Sequence, residues 1–247
     1  GFHVTLLDNG YKGFRQWVRA TLAVHKPVLT LGGMTGTGKT TILYALAERG
    51  EQILDLEKHA NHRGSSYGNL GLPPQPSTEQ FENLLAMEWA KLTPDRPVWI
   101  EAESRMVGTC RVPDELFLQM MTAPILQIER PRAERIALLL KDYGVMDRAQ
   151  LITATERLQK RLGGDRTRAA VDLIVAGDLA GAIEIVLNYY DKTYLYDLKR
   201  RNVPLFPVDI NGCSDPECAA LLIKTSRQIL THQASIQNLE GFRKPPR

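Results

Sequence analysis

LGGMTGTGKTT, residues Leu31 to Thr41, is the segment with the clearest structural meaning in this chain. Residues 33–40 match G-x-x-x-x-G-K-[S/T] at every fixed position, the pattern of a loop that holds phosphate with its backbone N–H groups. Glycines let several N–H groups point at one anion, and the following helix adds the positive end of its dipole. We predict that Lys39 contacts the outer phosphate and that Thr40 is a ligand of Mg²⁺. The predicted phosphate-binding residues are Gly33, Thr35, Gly36, Thr37, Gly38, Lys39, Thr40 and Thr41.

The sequence on both sides of this loop alternates between strand and helix patterns. Apolar runs typical of buried strands occupy residues 28–33, 52–57, 97–104, 124–129 and 204–210. Helical patterns lie between them, and Ser77 or Thr78 is predicted to cap one of these helices. The alternation predicts an α/β fold, with a P-loop NTPase-like parallel sheet flanked by helices.

The C-terminal half is predicted to be mostly helical. From residue 130 to about residue 201 the pattern is helical throughout, with breaks at Gly144, Gly163–Gly164 and Gly177. A last helix is expected at about residues 216–233.

The overall composition is that of an ordinary globular chain. The 247 residues are 43% hydrophobic and 24% charged with a net charge of +3, so a nucleic-acid site requires local clusters of Lys and Arg. No apolar run is long enough for a membrane span, and the first residues lack a signal-peptide pattern. The three cysteines do not form a disulfide framework, and we expect a cytoplasmic protein.

Acidic residues follow the second and third predicted strands. They are Asp55, Glu57, Glu101 and Glu103. P-loop enzymes place a metal-binding acid at the end of a neighbouring strand, so each is a candidate. Alternation along a strand predicts that Glu101 and Glu103 point the same way. Capping a helix or pairing with an arginine is the alternative for each, and the strong ATPase pattern of an apolar run ending in Asp is missing.

The segment HANHRGSSYG, residues 59–68, is the second candidate for substrate binding. We predict a substrate loop over the phosphate site in which Arg63 and Ser65 contact the substrate. A solvated loop without function is the alternative. The predicted substrate-loop residues are His59, His62, Arg63, Ser65 and Ser66.

Basic residues are interleaved with tyrosines in the helical half, a combination that suits single-stranded RNA. A tyrosine stripe at helical spacing is also typical of a core, but four tyrosines within residues 189–196 cannot all face one buried surface. For the arginines near residue 130, a charged helix start is the alternative. The predicted RNA-binding residues are Arg130, Arg132, Arg161, Arg166, Arg168, Tyr189, Tyr190, Lys192, Tyr194, Lys199, Arg200 and Arg201.

Together these segments resemble the family of tRNA 2-selenouridine synthases. The matching pieces are GGMTGTGKT (32–40), LEKHANHRGSSYG (56–68), VWIEAESRMVG (98–108), RLGGDRT (161–167) and LNYYDKTY (187–194). The family pattern is a rhodanese-like domain followed by a P-loop domain. The resemblance therefore implies a rhodanese remnant at residues 1–25, a P-loop domain with a helical tRNA-binding portion at 26–235, and a mobile tail at 236–247. The family's selenium-carrying cysteine belongs to the rhodanese part and has no counterpart here, so the catalytic residue is unknown.

The resemblance implies a transferase that converts the wobble 2-thiouridine of tRNA to 2-selenouridine. Geranyl diphosphate alkylates the sulfur, and selenium from selenophosphate then displaces the S-geranyl group. The phosphate loop would bind geranyl diphosphate, with Mg²⁺ as a further candidate, and the basic helices would receive the anticodon arm. The missing rhodanese domain is the expected partner, and no membrane is involved. Candidates for the isoprenoid pocket are Met106, Val107, Met120 and Met121.

Two other functions remain compatible with the residues. One is an ATP-dependent, kinase-like phosphotransferase, because the loop pattern alone does not identify the owner of the phosphate. The other is an RNA-binding module switched by a nucleotide.

Overall fold

A computed structural model of the chain describes residues 6–241, with side chains described for residues 6–231. The helices are α1 (Gly10–Ala23), α2 (Lys39–Glu48), α3 (Leu56–Ala60), α4 (Thr78–Lys91), α5 (Asp114–Thr122), α6 (Arg132–Tyr143), α7 (Arg148–Glu156), α8 (Gln159–Leu162), α9 (Gly164–Ala176), α10 (Leu179–Arg200) and α11 (Asp215–Gly241). The strands are β1 (Val28–Gly33), β2 (Gln52–Leu54), β3 (Val98–Glu101), β4 (Met106–Val107), β5 (Cys110–Arg111), β6 (Ile125–Glu129) and β7 (Leu205–Asp209).

Five strands form a parallel sheet in the order β2-β3-β1-β6-β7. The central strand β1 is buried along its whole length, because helices cover both faces of the sheet. Its register places Leu31 beside Glu101 of β3 and Gly33 beside Ile128 of β6. The phosphate loop therefore begins between the carboxyl ends of two neighbouring strands, where ligands bind in open α/β sheets. The predicted α/β, P-loop NTPase-like fold is confirmed.

Two predicted strands are shorter than expected. β2 ends at Leu54 because the carboxylate of Asp55 accepts the backbone N–H of Lys58 at 2.8 Å and caps α3. β3 ends at Glu101, and the following residues form the short antiparallel pair β4–β5. Of the acids predicted at the strand ends, Asp55 caps α3, Glu57 lies on α3, Glu101 is the last residue of β3 and Glu103 lies in the loop after it.

The helical half has its own hydrophobic core, separate from the two cores on the faces of the sheet. It is built mainly from α7, α9 and α10, with Leu151, Ala170, Ile174 and Ala182 among its buried residues. The predicted breaks occur between α6 and α7, between α8 and α9, and between α9 and α10. Gly177 has a φ of +87°, a conformation that ends α9 without steric strain.

Helix α1 is part of the main core. Val18 and Leu22 are fully buried together with residues of α4 and α5, and Arg19 pairs with Glu115 at 2.6 Å. The boundary predicted after residue 25 is therefore not a boundary in the packing. Of the strand predicted at residues 3–7, residues 3–5 lie outside the described residues and Leu6 and Leu7 are not in a strand.

The C-terminal helix is longer than predicted. α11 extends to Gly241, so residues 236–241 of the predicted mobile tail are helical, and residues 242–247 lie outside the described residues. A rhodanese origin for residues 1–25 stays a prediction. Within the described residues, no helix combines the length and the apolar character that crossing a bilayer requires.

Candidate functional site

The phosphate loop, residues 33–40, connects β1 to α2 and depends on its glycines. Gly36 and Gly38 have φ angles of +81° and +82°, which residues with a side chain rarely adopt. A Cβ on Gly36 would also lie 2.9 Å from the carbonyl oxygen of Arg135 on α6. The Lys39 Nζ donates to the carbonyl oxygen of Gly33 at 3.1 Å, so this side chain lies across the loop.

The loop forms one wall of a cleft of about 410 Å³, here called the phosphate cleft. The predicted phosphate-binding residues line it except Thr37. Thr37 is buried, and its hydroxyl donates to the carbonyl oxygen of Met34 at 2.8 Å. Thr41 lines the cleft, but its hydroxyl donates to the Gly38 carbonyl oxygen at 3.0 Å. The hydroxyl of Thr37 is therefore not directed into the cleft, and the predicted phosphate contact of this residue is left to its backbone.

Three glutamates converge in the cleft beside Thr40 of the phosphate loop, and we call them the glutamate cluster. Among the described residues, one carboxylate oxygen each of Glu57, Glu101 and Glu103 lies within 4.8 Å of the others. The Thr40 hydroxyl donates to Oε2 of Glu57 at 3.2 Å. Glu101 and Glu103 thus do point to one site, as the alternation predicts.

The glutamate cluster is electrostatically strained. Burial, followed by repulsion from Glu101 and Glu103, raises the pKa of Glu57 to about 9. Burial likewise raises the pKa of Glu101 to about 7, although Lys39 opposes the shift. Glu101 is 2% exposed, and its Oε1 atom has no hydrogen-bond partner within the described part of the chain. Such a cluster is stabilised by holding a proton or by binding a cation.

Asp55 does not belong to the cluster. Its carboxylate caps α3 and accepts the hydroxyl of Tyr44 at 2.6 Å. Asp55 therefore has the structural, helix-capping role that the sequence left open as the alternative. Its carboxylate is engaged by these contacts, so the prediction that Asp55 is a metal-binding acid is wrong.

The substrate loop, residues 59–68, lies between the sheet and the helical half. Arg63 and Ser65 line the phosphate cleft. The loop is held from the helical side, because the Tyr190 hydroxyl accepts the N–H of Ser66 at 3.0 Å and the Tyr67 hydroxyl bonds to that of Thr155 at 2.8 Å. The loop is thus anchored and not merely solvated.

Three of the predicted substrate-loop residues do not line the cleft. His59 is on α3, where burial lowers its pKa. His62 shapes the loop, because its Nδ1 accepts the N–H of Gly64 at 3.1 Å. Ser66 is engaged by Tyr190. These contacts give the three residues structural roles.

Helix α10 covers the phosphate loop. The Tyr194 hydroxyl accepts the N–H of Gly33 at 2.8 Å and donates to Gln127. Arg201 donates to the carbonyl oxygen of Glu103 at 2.9 Å. Five of the predicted RNA-binding residues line the cleft. Tyr189, Tyr190 and Tyr194 come from α10, Arg201 follows it, and Arg161 comes from α8. Tyr190 and Tyr194 are walls of the cleft and not an open stacking surface.

The other predicted RNA-binding residues fall into two groups. The Arg130 side chain is 8% exposed and pairs with Glu134 at 3.5 Å, and Arg132 pairs with Asp191 at 3.4 Å. Both arginines form ion pairs within the fold, which is the alternative of a charged helix start that the sequence left open. Five basic residues are exposed on α9 and α10, namely Arg166, Arg168, Lys192, Lys199 and Arg200.

Two of these exposed residues flank a groove of about 440 Å³ between α9 and α10. Arg166 and Lys192 lie there beside Asp165, Ala169, Ile185 and Asn188, so two cations and one acid line the groove. Cations above a partly apolar floor are suited to the phosphates and bases of a single strand. A second exposed pair of a cation and an apolar surface lies further along α10. There the Arg200 guanidinium is 5.6 Å from the centroid of the Tyr196 ring.

A small apolar cavity of about 40 Å³ adjoins the phosphate cleft. Its walls are mainly aliphatic and come from α6, α7, α9 and α10; they include Leu139, Leu151, Ile174, Leu179, Ile183 and Val186. The cavity and the cleft share five lining residues: Thr35, Ser65, Leu139, Tyr143 and Tyr190.

The sequence reasoning missed this cavity. Of the residues predicted for the isoprenoid pocket, Val107 and Met120 are in the core beside α4 and α5, and Met106 is exposed. The sequence feature that indicates the cavity is the helical spacing of Leu179, Ile183 and Val186, which places these apolar side chains on one face of the helix just before LNYYDKTY.

Comparison with known proteins identifies the family of the chain. Residues 26–211 match the family described as the tRNA 2-selenouridine synthase AAA domain. A tRNA 2-selenouridine synthase of Marinobacter nauticus is 35% identical over 81% of this chain and 63% of its own. Those of Pseudomonas putida GB-1 and Aeromonas salmonicida are 35% and 34% identical, over 79% and 83% of this chain and 61% and 64% of theirs. The chain thus spans a little under two-thirds of the length of these relatives. From its fold, its phosphate cleft and these matches, the chain belongs to the family of tRNA 2-selenouridine synthase AAA domains.

Proposed function

We propose that this chain is the part of a tRNA 2-selenouridine synthase that binds geranyl diphosphate and tRNA. The observation that carries the proposal is the shared wall between the phosphate cleft and the apolar cavity. A donor with a diphosphate at one end and an aliphatic chain at the other spans both spaces. A nucleotide would instead bring a polar ribose and base against Leu139 and Val186, where their hydrogen-bonding groups would lose water without gaining partners.

The volumes suggest how the donor lies. The cavity of about 40 Å³ accommodates only the far end of a ten-carbon chain, and the nearer isoprene unit lies in the cleft of about 410 Å³. Rotamer changes of the lining side chains on binding are common and would widen the cavity.

The phosphate loop assists the first step by stabilising its leaving group. The sulfur of 2-thiouridine attacks the first carbon of the geranyl chain, and the carbon–oxygen bond to diphosphate breaks with its electron pair on oxygen. The N3 proton of the uridine is released. Lys39 and the N–H groups of the loop are directed at the developing negative charge, the arrangement that lowers the barrier of such a step most effectively.

The glutamate cluster fits a magnesium ion. Thr40 and the three carboxylates offer the oxygen ligands that Mg²⁺ prefers, and the unpartnered Oε1 of Glu101 is an acceptor in need of a partner. When bound, the ion would neutralise part of the diphosphate charge. Without the ion, the raised pKa values of Glu57 and Glu101 mean that the cluster keeps a proton beside the diphosphate.

The second step replaces sulfur by selenium. Selenium of selenophosphate attacks carbon 2 of the S-geranyl uridine, and geranyl thiol leaves with its bonding electrons and a proton. Hydrolysis of the selenium–phosphorus bond then gives 2-selenouridine and phosphate. We assign the selenium-carrying cysteine to a rhodanese-like domain outside this chain, because the resemblance implies that domain.

The groove between α9 and α10 is our candidate for the tRNA contact. Arg166 and Lys192 are exposed there and have no ion pair among the described residues, so they are available to phosphates. The exposed Arg168, Lys199 and Arg200 extend the basic surface along the same two helices. The target uridine would reach the mouth of the cleft beside Arg161.

An ATP-dependent phosphotransferase is the second candidate. The glutamate cluster next to Thr40 favours it, because phosphoryl transfer uses the same metal and loop. The apolar cavity has no part in that reaction, and for this reason we rank it second.

One experiment separates the two. The chain is incubated with tRNA containing 2-thiouridine and with geranyl diphosphate or ATP. The masses of the resulting nucleosides are then measured by mass spectrometry. We expect an S-geranyl product, its loss in Lys39→Ala, and full activity in the matched control Lys224→Ala, an exposed lysine on α11. Phosphate release from ATP without geranyl transfer would favour the second candidate. If a longer enzyme transfers the geranyl group and this chain does not, the assignment of this step to the chain would be contradicted.

A further inference from the structure

Arg135 is a buried charge that the proposed chemistry does not use. It lies on α6 and is 4% exposed, and it is not among the residues that line the phosphate cleft. A buried guanidinium is destabilising unless its hydrogen bonds and its charge are satisfied. Its partners therefore indicate why it is there.

The Arg135 guanidinium joins the phosphate loop to α10. Its Nε donates to the carbonyl oxygen of Thr35 at 2.8 Å, and its Nη1 and Nη2 donate to the carboxylate of Asp191 at 3.1 and 2.5 Å. The fork with Asp191 is the bidentate geometry in which arginine is held most rigidly. Asp191 also pairs with Arg132 at 3.4 Å, so it balances the charge of Arg135 as a member of a three-residue network.

The contact with Thr35 determines the orientation of one peptide unit of the loop. In a trans peptide the C=O and the N–H point in opposite directions, and the Thr35 carbonyl shares its peptide with the N–H of Gly36. Arg135 binds the carbonyl from outside the loop, so the Gly36 N–H is directed away from Arg135. Gly36 lines the phosphate cleft.

We infer that Arg135 and Asp191 are positioning residues that hold the Thr35–Gly36 peptide with its N–H toward a bound diphosphate. The inference rests on the proposed use of the phosphate loop and extends it to a helix far along the chain. Arg135 touches no substrate in this role. Asp191 sits between Tyr190, which anchors the substrate loop, and Lys192 of the groove, so α10 carries all three functions.

Binding of inorganic diphosphate tests the inference without relying on the geranyl group. The variants are Arg135→Gln, Asp191→Asn and the double variant, measured by calorimetry for diphosphate and by urea denaturation for stability. Asp191→Asn leaves the buried Arg135 without its counter-ion, and Arg135→Gln leaves Asp191 with Arg132 at 3.4 Å as its remaining charged partner, so both single variants are expected to be less stable. The double variant removes both buried charges and is expected to regain part of this stability, with Arg132 still paired to Glu184 at 3.4 Å. Diphosphate affinity is expected to fall about tenfold or more in the double variant, because one hydrogen bond to a charged ligand is misdirected.

The control is Arg15→Gln, which removes another partly buried, paired arginine that contacts α4, outside the cleft. We expect it to change stability but not diphosphate affinity. A stable double variant that binds diphosphate as tightly as the wild type would overturn the inference, and so would a wild type that does not bind diphosphate. A wild type that binds diphosphate but transfers no geranyl group would contradict the proposed function and not the positioning role.

Discussion

Replacing Glu57 by glutamine removes one of the three carboxylates beside Thr40, and the consequence for stability depends on pH. Burial and repulsion within the glutamate cluster raise the pKa of Glu57 from 4.5 to about 9 in the folded chain. Between these values the folded protein holds a proton that the unfolded chain has released. The folded state is therefore favoured most below pH 4.5, and this advantage is lost as the pH rises toward 9.

The size of the effect follows from the linkage of one proton. In this window the stability of the wild type, relative to Glu57→Gln, is expected to fall by at most about 1.4 kcal/mol per pH unit. Glutamine keeps an oxygen that accepts the Thr40 hydroxyl, so the packing changes little. We expect the variant to be as stable as the wild type at pH 5 and more stable at pH 8.

Urea denaturation at half-unit steps from pH 5 to pH 8.5 measures this difference. Glu48→Gln, an exposed glutamate of α2, is the matched control and should give a profile parallel to that of the wild type. Addition of Mg²⁺ should raise wild-type stability more at pH 8 than at pH 5.5, because the cation favours the ionised carboxylates. Parallel profiles for the wild type and Glu57→Gln would refute the reasoning that the three carboxylates are crowded.

Three further changes test other parts of the molecule. Val186→Phe fills the apolar cavity, so we expect a raised KM for geranyl diphosphate in the transfer assay. The KM for dimethylallyl diphosphate, a five-carbon analogue, should be less affected, because this shorter chain does not reach the cavity. An equal effect on both would contradict the cavity's role. Replacing Arg166 and Lys192 by glutamine should weaken tRNA binding and lower the slope of log Kd against log salt by about 0.7 for each lost phosphate contact, as measured by filter binding. An unchanged slope would place the RNA elsewhere. Ser77→Ala removes the cap of α4, where the side chain accepts the Gln80 N–H at 3.1 Å, and should lower the free energy of unfolding by about 1 kcal/mol without changing diphosphate affinity.

The parts of the fold predicted from sequence are those set by local patterns. The phosphate loop, the central strands and the helix breaks depend on glycine conformations and on apolar runs within a few residues. The prediction for the second strand extended too far, because Asp55 caps a helix and so ends the strand before it, and the third strand also ends earlier than predicted, at Glu101. Apolar periodicity does not reveal such a cap.

The structure brings the central residues of the predicted site together and separates several of the peripheral ones from it. Glu101 and Glu103 converge as predicted, although only Glu101 belongs to β3 and Glu103 lies in the loop that follows it. For tyrosines such as Tyr194 an RNA-binding role was predicted from their basic neighbours, yet α10 turns them toward the phosphate loop. Arg130 likewise has basic neighbours in sequence but acidic partners in space.

The sequence by itself determined that a phosphate loop follows a buried parallel strand, because the loop's conformation depends on its own glycines and on the strand and helix beside it. Only the tertiary structure decided which side chains complete the site. Tyr194 and Gly33 are 161 residues apart and Arg135 and Thr35 are 100 apart, yet each pair shares a hydrogen bond. The packing of α6 and α10 beside the phosphate loop brings them together, and side chains of the same two helices line the apolar cavity next to the cleft.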